Sequence, residues 1–314
     1  MQEEKNKWVK YGAIFAILIM VGSAVFVGIL YGWESLTGDD NEPTEYPFTD
    51  VPGNHTNFTF KNAKDAANYV PAGVLSINIL KIYDNDTVDQ GLTEAFPGAE
   101  SDKRMVASYP TGMLAYYPIE NESNVSIVIN GSKPQYENYE GYNIIFTHAA
   151  QRVVVGSPII IASFFNYAAD NTLAKKALDV LAGKSSGSTD LNDILSYADD
   201  VSNYDEIIVY KANAGSDYDK YYQRASQNVN MTTFQLEFQM ESIVLKGSSA
   251  MKQDIRDLAE NASEGIEFVI TEEGDVFKTY VNGADYTSFM KDTNALYQLV
   301  SKHTQQSGNN STTV

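Results

Sequence analysis

An α+β fold, with helices packed on antiparallel sheet behind an N-terminal transmembrane helix, is what three features of this chain predict. The first is a run of 23 uncharged residues, Tyr11 to Trp33. The second is the alternation, along the rest of the chain, of short β-rich runs with amphipathic stretches at helical spacing. The third is strict two-residue alternation: Phe234, Leu236, Phe238 and Met240 face one way, Gln235, Glu237 and Gln239 the other. That pattern marks an antiparallel strand with one wet face.

At about 1.5 Å of helical rise per residue, Gly12 to Gly32 spans a hydrocarbon layer of roughly 30 Å. Lys5, Lys7 and Lys10 precede the run and Glu34, Asp39 and Asp40 follow it. Basic flanks stay in the cytoplasm, so residues 1–10 are expected inside, 11–33 in the lipid bilayer and the rest outside. The apolar stretch is longer than a signal-peptide core, and its small-residue pair, Gly22 and Ala24, falls mid-run, so retention as an anchor is expected.

Residues 34–57 are polar and acidic, contain Pro43, Pro47 and Pro52, and read as a flexible stalk. Two α+β halves are expected next, 58–183 and 188–304, joined by the loop Gly183 to Thr189, with a disordered tail at 305–314. In the first half, Asn62 to Val70 reads as a helix stopped by Pro71, and Val74 to Tyr83 as a strand. Further strands are expected at Gly112 to Pro118, Val125 to Asn130, Tyr142 to Thr147 and Arg152 to Val155. Ser157 as N-cap and Pro158 at the first helical position then predict a buried helix over Ile159 to Tyr167. Another helix runs from Asn171 to a C-cap at Gly183.

In the second half, a helix over Leu191 to Ala198 leads to a strand at Glu206 to Lys211. Met251, Ile255, Leu258 and Ala262 form a helical stripe at spacings of four, three and four. Phe268 to Thr271 and Val276 to Val281 flank a Glu273-Gly274 turn, and a last amphipathic helix carries Phe289, Ala295, Leu296 and Leu299. The order of elements in the halves is loosely similar, as a duplicated unit would be, but residue identity between them is too low to establish it.

The chain carries 41 acidic against 22 basic residues, a net charge of −19. Such a surface repels nucleic acid, so no nucleic-acid partner is expected. Absence of cysteine excludes disulfides, thiol catalysis and cysteine-ligated metals. The three histidines, His55, His148 and His303, are too scattered for a histidine metal centre, and His55 and His303 fall in the expected linker and tail.

Gly183-Lys184-Ser185-Ser186-Gly187 matches G-x-S-x-G, but a helix precedes it and a polar loop follows, the wrong setting for a nucleophile elbow. A phosphate loop fails too, since Leu178 stands where its first glycine belongs. Asp84, Asp86 and Asp89 crowd one loop with Asn85 and Glu94, yet Val88 and Asp89 break the calcium-loop pattern. Glu237 and Glu241 read as solubilising charges on the wet strand face. No catalytic, cofactor or metal residue is assigned, and the chain is not expected to be an enzyme.

Ten asparagines satisfy N-x-[ST]: Asn54, Asn57, Asn85, Asn121, Asn124, Asn130, Asn230, Asn261, Asn309 and Asn310, all beyond the anchor. They predict an exported glycoprotein. Tyrosine is abundant, 21 in all, and it offers an apolar face with a hydroxyl, which suits a glycan or protein partner. The candidate binding groups are Tyr136, Tyr139 and Tyr142, and Tyr218, Tyr221 and Tyr222.

The lysine-flanked anchor, NYVPAGVLSINIL at Asn68 to Leu80 and RVVVGSPIIIASFFNYA at Arg152 to Ala168 resemble uncharacterised membrane-anchored extracytoplasmic proteins of methanogenic archaea. The resemblance implies location and no activity. The expected function is therefore binding or assembly at the cell envelope, as a surface component or accessory subunit contacting envelope proteins or glycans. An extracytoplasmic hydrolase using carboxylates competes with it, as does a sensor or solute-binding module, for which the cytoplasmic stretch Met1 to Lys10 is too short to signal alone.

Overall fold

The computed structural model describes residues 43–82, 92–93, 96–130, 135–146, 150–164, 172–199, 202–230 and 235–305. The expected membrane helix, the Asp84 to Asp89 loop with Glu94, His148 and the tail beyond Gln305 lie outside the described residues. Among the described residues no helix is long and apolar enough to cross a membrane.

The strands are β1 (Pro43–Pro47), β2 (Thr56–Asn57), β3 (Ser76–Lys81), β4 (Lys103–Tyr109), β5 (Gly112–Tyr117), β6 (Ser126–Asn130), β7 (Tyr136–Tyr139) and β8 (Tyr142–Phe146). They continue with β9 (Ala150–Val154), β10 (Gly156–Ser157), β11 (Ile159–Phe164), β12 (Glu206–Lys211), β13 (Lys220–Asn230), β14 (Gln235–Leu245), β15 (Ile266–Glu273) and β16 (Val276–Gly283). Helices are α1 (Ala63–Ala67), α2 (Thr172–Leu181), α3 (Asn192–Leu195), α4 (Ser249–Glu260) and α5 (Tyr286–Gln305). The fold is α+β, with a large antiparallel sheet and few helices. Two compact units divide the chain, one from residues 1–58, 82–102 and 116–174, the other from 59–81, 103–115 and 175–314. Gly183 to Thr189 lies inside the second.

In the first unit β1 pairs antiparallel with β6, β2 parallel with β10, and β7, β8, β9 and β11 form an antiparallel ladder in that order. Residues 43–57, expected within the stalk, are thus part of the folded unit. Pro43 and Pro47 bound a strand in a two-stranded sheet, where a missing N–H can face away from the ladder. Phe48 and Val51 are buried behind it, and the Phe48 N–H donates to the Val125 carbonyl at 2.8 Å.

The helix expected at Ile159 to Tyr167 is corrected: Ile159–Phe164 is a strand paired with β9. Three consecutive isoleucines are stiff at χ1 and suit a ladder, and a short apolar run has no periodicity to separate the two states.

In the second unit the strand order is β15, β16, β14, β13, β12, β3, β4, each neighbour antiparallel. One face packs on α4 and α5. Its core joins Tyr218, Tyr221, Phe238, Met240, Val244 and Phe277 to Met251 and Ile255 of α4 and to Phe289, Leu296 and Val300 of α5. Ser248 caps α4 by accepting from the Met251 N–H at 3.2 Å, and Gly274 takes a positive φ of 57° in the β15–β16 turn. The opposite face is covered near β3 and β13 by α1 and α3, two short helices; Asn62 caps α1 through the Asp65 N–H at 2.9 Å. β4 and β13 carry no signal read from the sequence, because both mix polar and apolar residues on the two faces.

Candidate functional site

Charge concentrates on that second face of the second unit. Arg224 of β13, Glu241 of β14 and Tyr280 of β16 stand directly opposite one another across three strands. Glu241 is fully buried, not the solvated residue expected from the alternation. Its Oε2 accepts from Arg224 Nε at 3.1 Å, while Oε1 meets Lys278 Nζ at 2.6 Å and the Asp199 N–H at 3.1 Å. Lys278 also donates to Asp199 Oδ1 at 2.8 Å and to the Tyr197 carbonyl at 3.2 Å, and Tyr280 donates to Asp199 Oδ2 at 3.0 Å.

Burial alone would raise the Asp199 carboxyl, but hydrogen bonding and charge from Lys278 hold it below the usual carboxylate range. Burial opposes the charge on Lys278, and the bonds to Asp199 and Glu241 outweigh it and push its pKa up. Both Glu241 oxygens are engaged, so the carboxylate acts as a fixed counter-charge rather than a proton acceptor for a bound molecule. The sequence signal was there: a single carboxylate inside Met240-Glu241-Ser242-Ile243-Val244.

A second junction forms at His303, expected in a linker or tail and found buried on α5. Its Nδ1 hydrogen-bonds the Asp217 carboxylate and its Nε2 lies 3.1 Å from Asp254 Oδ2 on α4. Both ring nitrogens therefore face carboxylate oxygens. The hydrogen bond from His303 holds the Asp254 carboxyl below its ordinary range. Neither ring nitrogen is left to activate a nucleophile. Spacing could have placed this residue, since His303 follows Leu296 and Val300 at intervals of four and three, on the core face of the helix.

The tyrosines expected to bind separate into two sets. Tyr218, Tyr221 and Tyr222 are buried, so they form core rather than a binding face. The Tyr218 hydroxyl bonds Thr304 Oγ1 at 2.6 Å and the Tyr210 hydroxyl at 2.9 Å, and Tyr221 donates to Gln223 Oε1 at 2.8 Å. Burial pushes the hydroxyls of Tyr221 and Tyr222 up. In the first unit Tyr142 is buried and lies 3.3 Å from Thr56 Oγ1, Tyr139 is half-buried opposite it, and Tyr136 is 45% exposed. Of the six, Tyr136 offers the open face. Large apolar side chains also reach solvent at Val229, 52% exposed, and Leu236, 43% exposed, which face each other across β13 and β14.

Among the glycan acceptors, Asn54, Asn57, Asn121, Asn124 and Asn261 are exposed. Asn130 and Asn230 end β6 and β13, and Asn85, Asn309 and Asn310 lie outside the described residues. No group of three or more metal-ligating side chains is placed to hold an ion among the described residues.

No protein-family profile matches the chain, and no curated protein matches it. The solved structure titled "Structure of crystal form I of TP0453" is similar at a TM-score of 0.42 and 9% identity, over 76% of this chain and 99% of that one. At that likeness nothing passes from one protein to the other.

Proposed function

We propose that the chain is a single-pass membrane glycoprotein of the cell envelope, held by residues 11–33 with residues 1–10 in the cytoplasm, and that its outward-facing part acts by binding or assembly. The observation that carries this reading is the uncharged run Tyr11 to Trp33 with lysines before it and carboxylates after it. The ten acceptor asparagines, all beyond the run, argue for the same orientation from independent chemistry. Partners are envelope proteins or glycans, and kinship with anchored extracytoplasmic proteins of methanogens belongs to the same proposal.

Two features of the folded part favour binding over hydrolysis. The buried carboxylate Glu241 has both oxygens occupied by neighbours. Apolar side chains at Val229, Leu236 and Tyr136 are left in water, where a partner would cover them.

Protease added to intact cells should remove the folded part and leave a membrane-embedded N-terminal fragment. A body untouched by protease, or a mature chain beginning after Gly32, overturns the topology. Purification from detergent-solubilised native membranes should recover an envelope partner, and a solitary monomer overturns the accessory-subunit role.

A further inference from the structure

We infer that the acceptor asparagines are not equivalent: Asn121 carries the glycan, whereas Asn54 and Asn261 stay bare because their amide nitrogens hold the fold together. The inference rests on the glycoprotein reading above. Glycan transfer joins Nδ2 to the anomeric carbon of a lipid-phosphate-linked sugar. The carbon–oxygen bond to phosphate breaks, the lipid phosphate leaves with the electron pair, and one Nδ2 proton passes to base. An acceptor must therefore present Nδ2 with open space on its outer side.

Asn121 does so. It is exposed at the start of a single 3-10 turn, Glu122–Asn124, and its Oδ1 accepts from Ser123 Oγ at 2.7 Å. Ser123 is the hydroxyl residue of the same acceptor motif, so the motif's two polar ends are already drawn together while, among the described residues, Nδ2 donates to no partner. Asn124 shares the turn, but its motif runs through buried Val125 into Ser126 of β6, which is paired with Pro47.

Asn54 is the opposite case. Its Nδ2 donates to the Glu140 carbonyl at 3.3 Å, and its own N–H donates to the Gly141 carbonyl at 2.6 Å. A Cβ on Gly141 would lie 2.4 Å from Asn54 Nδ2, and a Cβ on Gly53 2.6 Å from the Gly141 oxygen. The two backbones touch here, Gly141 at a φ of 86°, and a sugar has no room between them.

Asn261 closes the last turn of α4, its Nδ2 donating to the Asp257 carbonyl at 2.7 Å. The hydroxyl of its motif is tied as well: Ser263 Oγ donates to buried Asp292 at 3.0 Å and accepts from Lys291 at 2.9 Å.

Site-resolved glycopeptide mass spectrometry on the full chain from its native membranes tests this. The expected result is a glycan on Asn121 and none on Asn54 or Asn261. Occupancy of Asn54 or Asn261 equal to that of Asn121, or glycan elsewhere with Asn121 bare, overturns the inference and leaves the glycoprotein reading standing. Absence of glycan at every acceptor overturns both. As a second readout, Asn121→Gln should remove one glycan's mass with an unchanged melting temperature, whereas Asn54→Ala should lower the melting temperature by several degrees without changing mass beyond the substitution. An unchanged melting temperature for Asn54→Ala overturns the structural role.

Discussion

The two faces of the second unit's sheet reach burial by opposite means. Toward α4 and α5, Met240, Val244, Phe277 and Val281 meet aromatic and aliphatic side chains, and stability comes from apolar area removed from water. On the other face, Arg224, Glu241 and Lys278 leave water as ions and recover the loss through one another and through Asp199. The apolar face gains from every neighbour it has, whereas the ionic face is as good as its least satisfied member.

The largest effects should separate these regimes. Phe277→Ala on the apolar face should cost about 3–5 kcal/mol by lost transfer energy and an unfilled cavity. Glu241→Ala should cost a similar amount, about 3–5 kcal/mol, because Arg224 stays behind without its carboxylate and Lys278 keeps only Asp199. Replacing the three together, Arg224→Met, Glu241→Leu and Lys278→Met, should return stability to the wild-type value or above. Urea denaturation measures all of these variants. A triple variant as unstable as Glu241→Ala would show that the ionic face contributes more than mutual compensation.

An intermediate effect is expected at the His303 junction. His303→Gln keeps bulk but loses the pair of ring-nitrogen contacts to Asp217 and Asp254, and should cost about 2 kcal/mol, the scale of a hydrogen bond to a charged group. The same denaturation series reads it, and a cost below about 0.5 kcal/mol, the ordinary range for surface substitutions, would remove the junction from the account.

The smallest effect is a pH slope. Burial raises the Asp190 carboxyl, but hydrogen bonds from Lys211, the Gly73 N–H and Ser188 together lower its pKa to about 2. A carboxyl depressed in the folded state stabilises at pH values above its unfolded pKa, about 3.9. That contribution is lost as pH falls toward about 2. Asp190→Asn should therefore flatten the stability profile between those two values and lower the plateau above them. An acid limb identical to wild type would assign the slope to other carboxylates.

Elements with a local cause were legible in the sequence. The Met251, Ile255 and Leu258 stripe marks α4, Gly183 ends α2 with a φ of 70°, and the β15–β16 hairpin follows its glycine turn. What depends on distant partners was not. Lys220–Asn230 shows no clean alternation because a charge such as Arg224 is paired with Glu241 of β14 and donates to the Asn203 carbonyl. Glu241 and His303 read as solvent-facing for the same reason: a sequence shows a charge but not its counter-charge. Tyr218, Tyr221 and Tyr222 were misplaced because an aromatic ring with a hydroxyl suits a wet surface and a hydrogen-bonded interior equally.

Met240 and Glu241 are adjacent on β14 and point to opposite faces, one into hydrocarbon and one onto two cations. If β14 slid by one residue during assembly, the carboxylate would be thrust among aromatic rings and the thioether set against bare guanidinium and ammonium groups. Misthreaded pairings are thereby penalised twice, so this strand proofreads its own alignment, and the outermost strands β16 and β15 inherit the corrected frame.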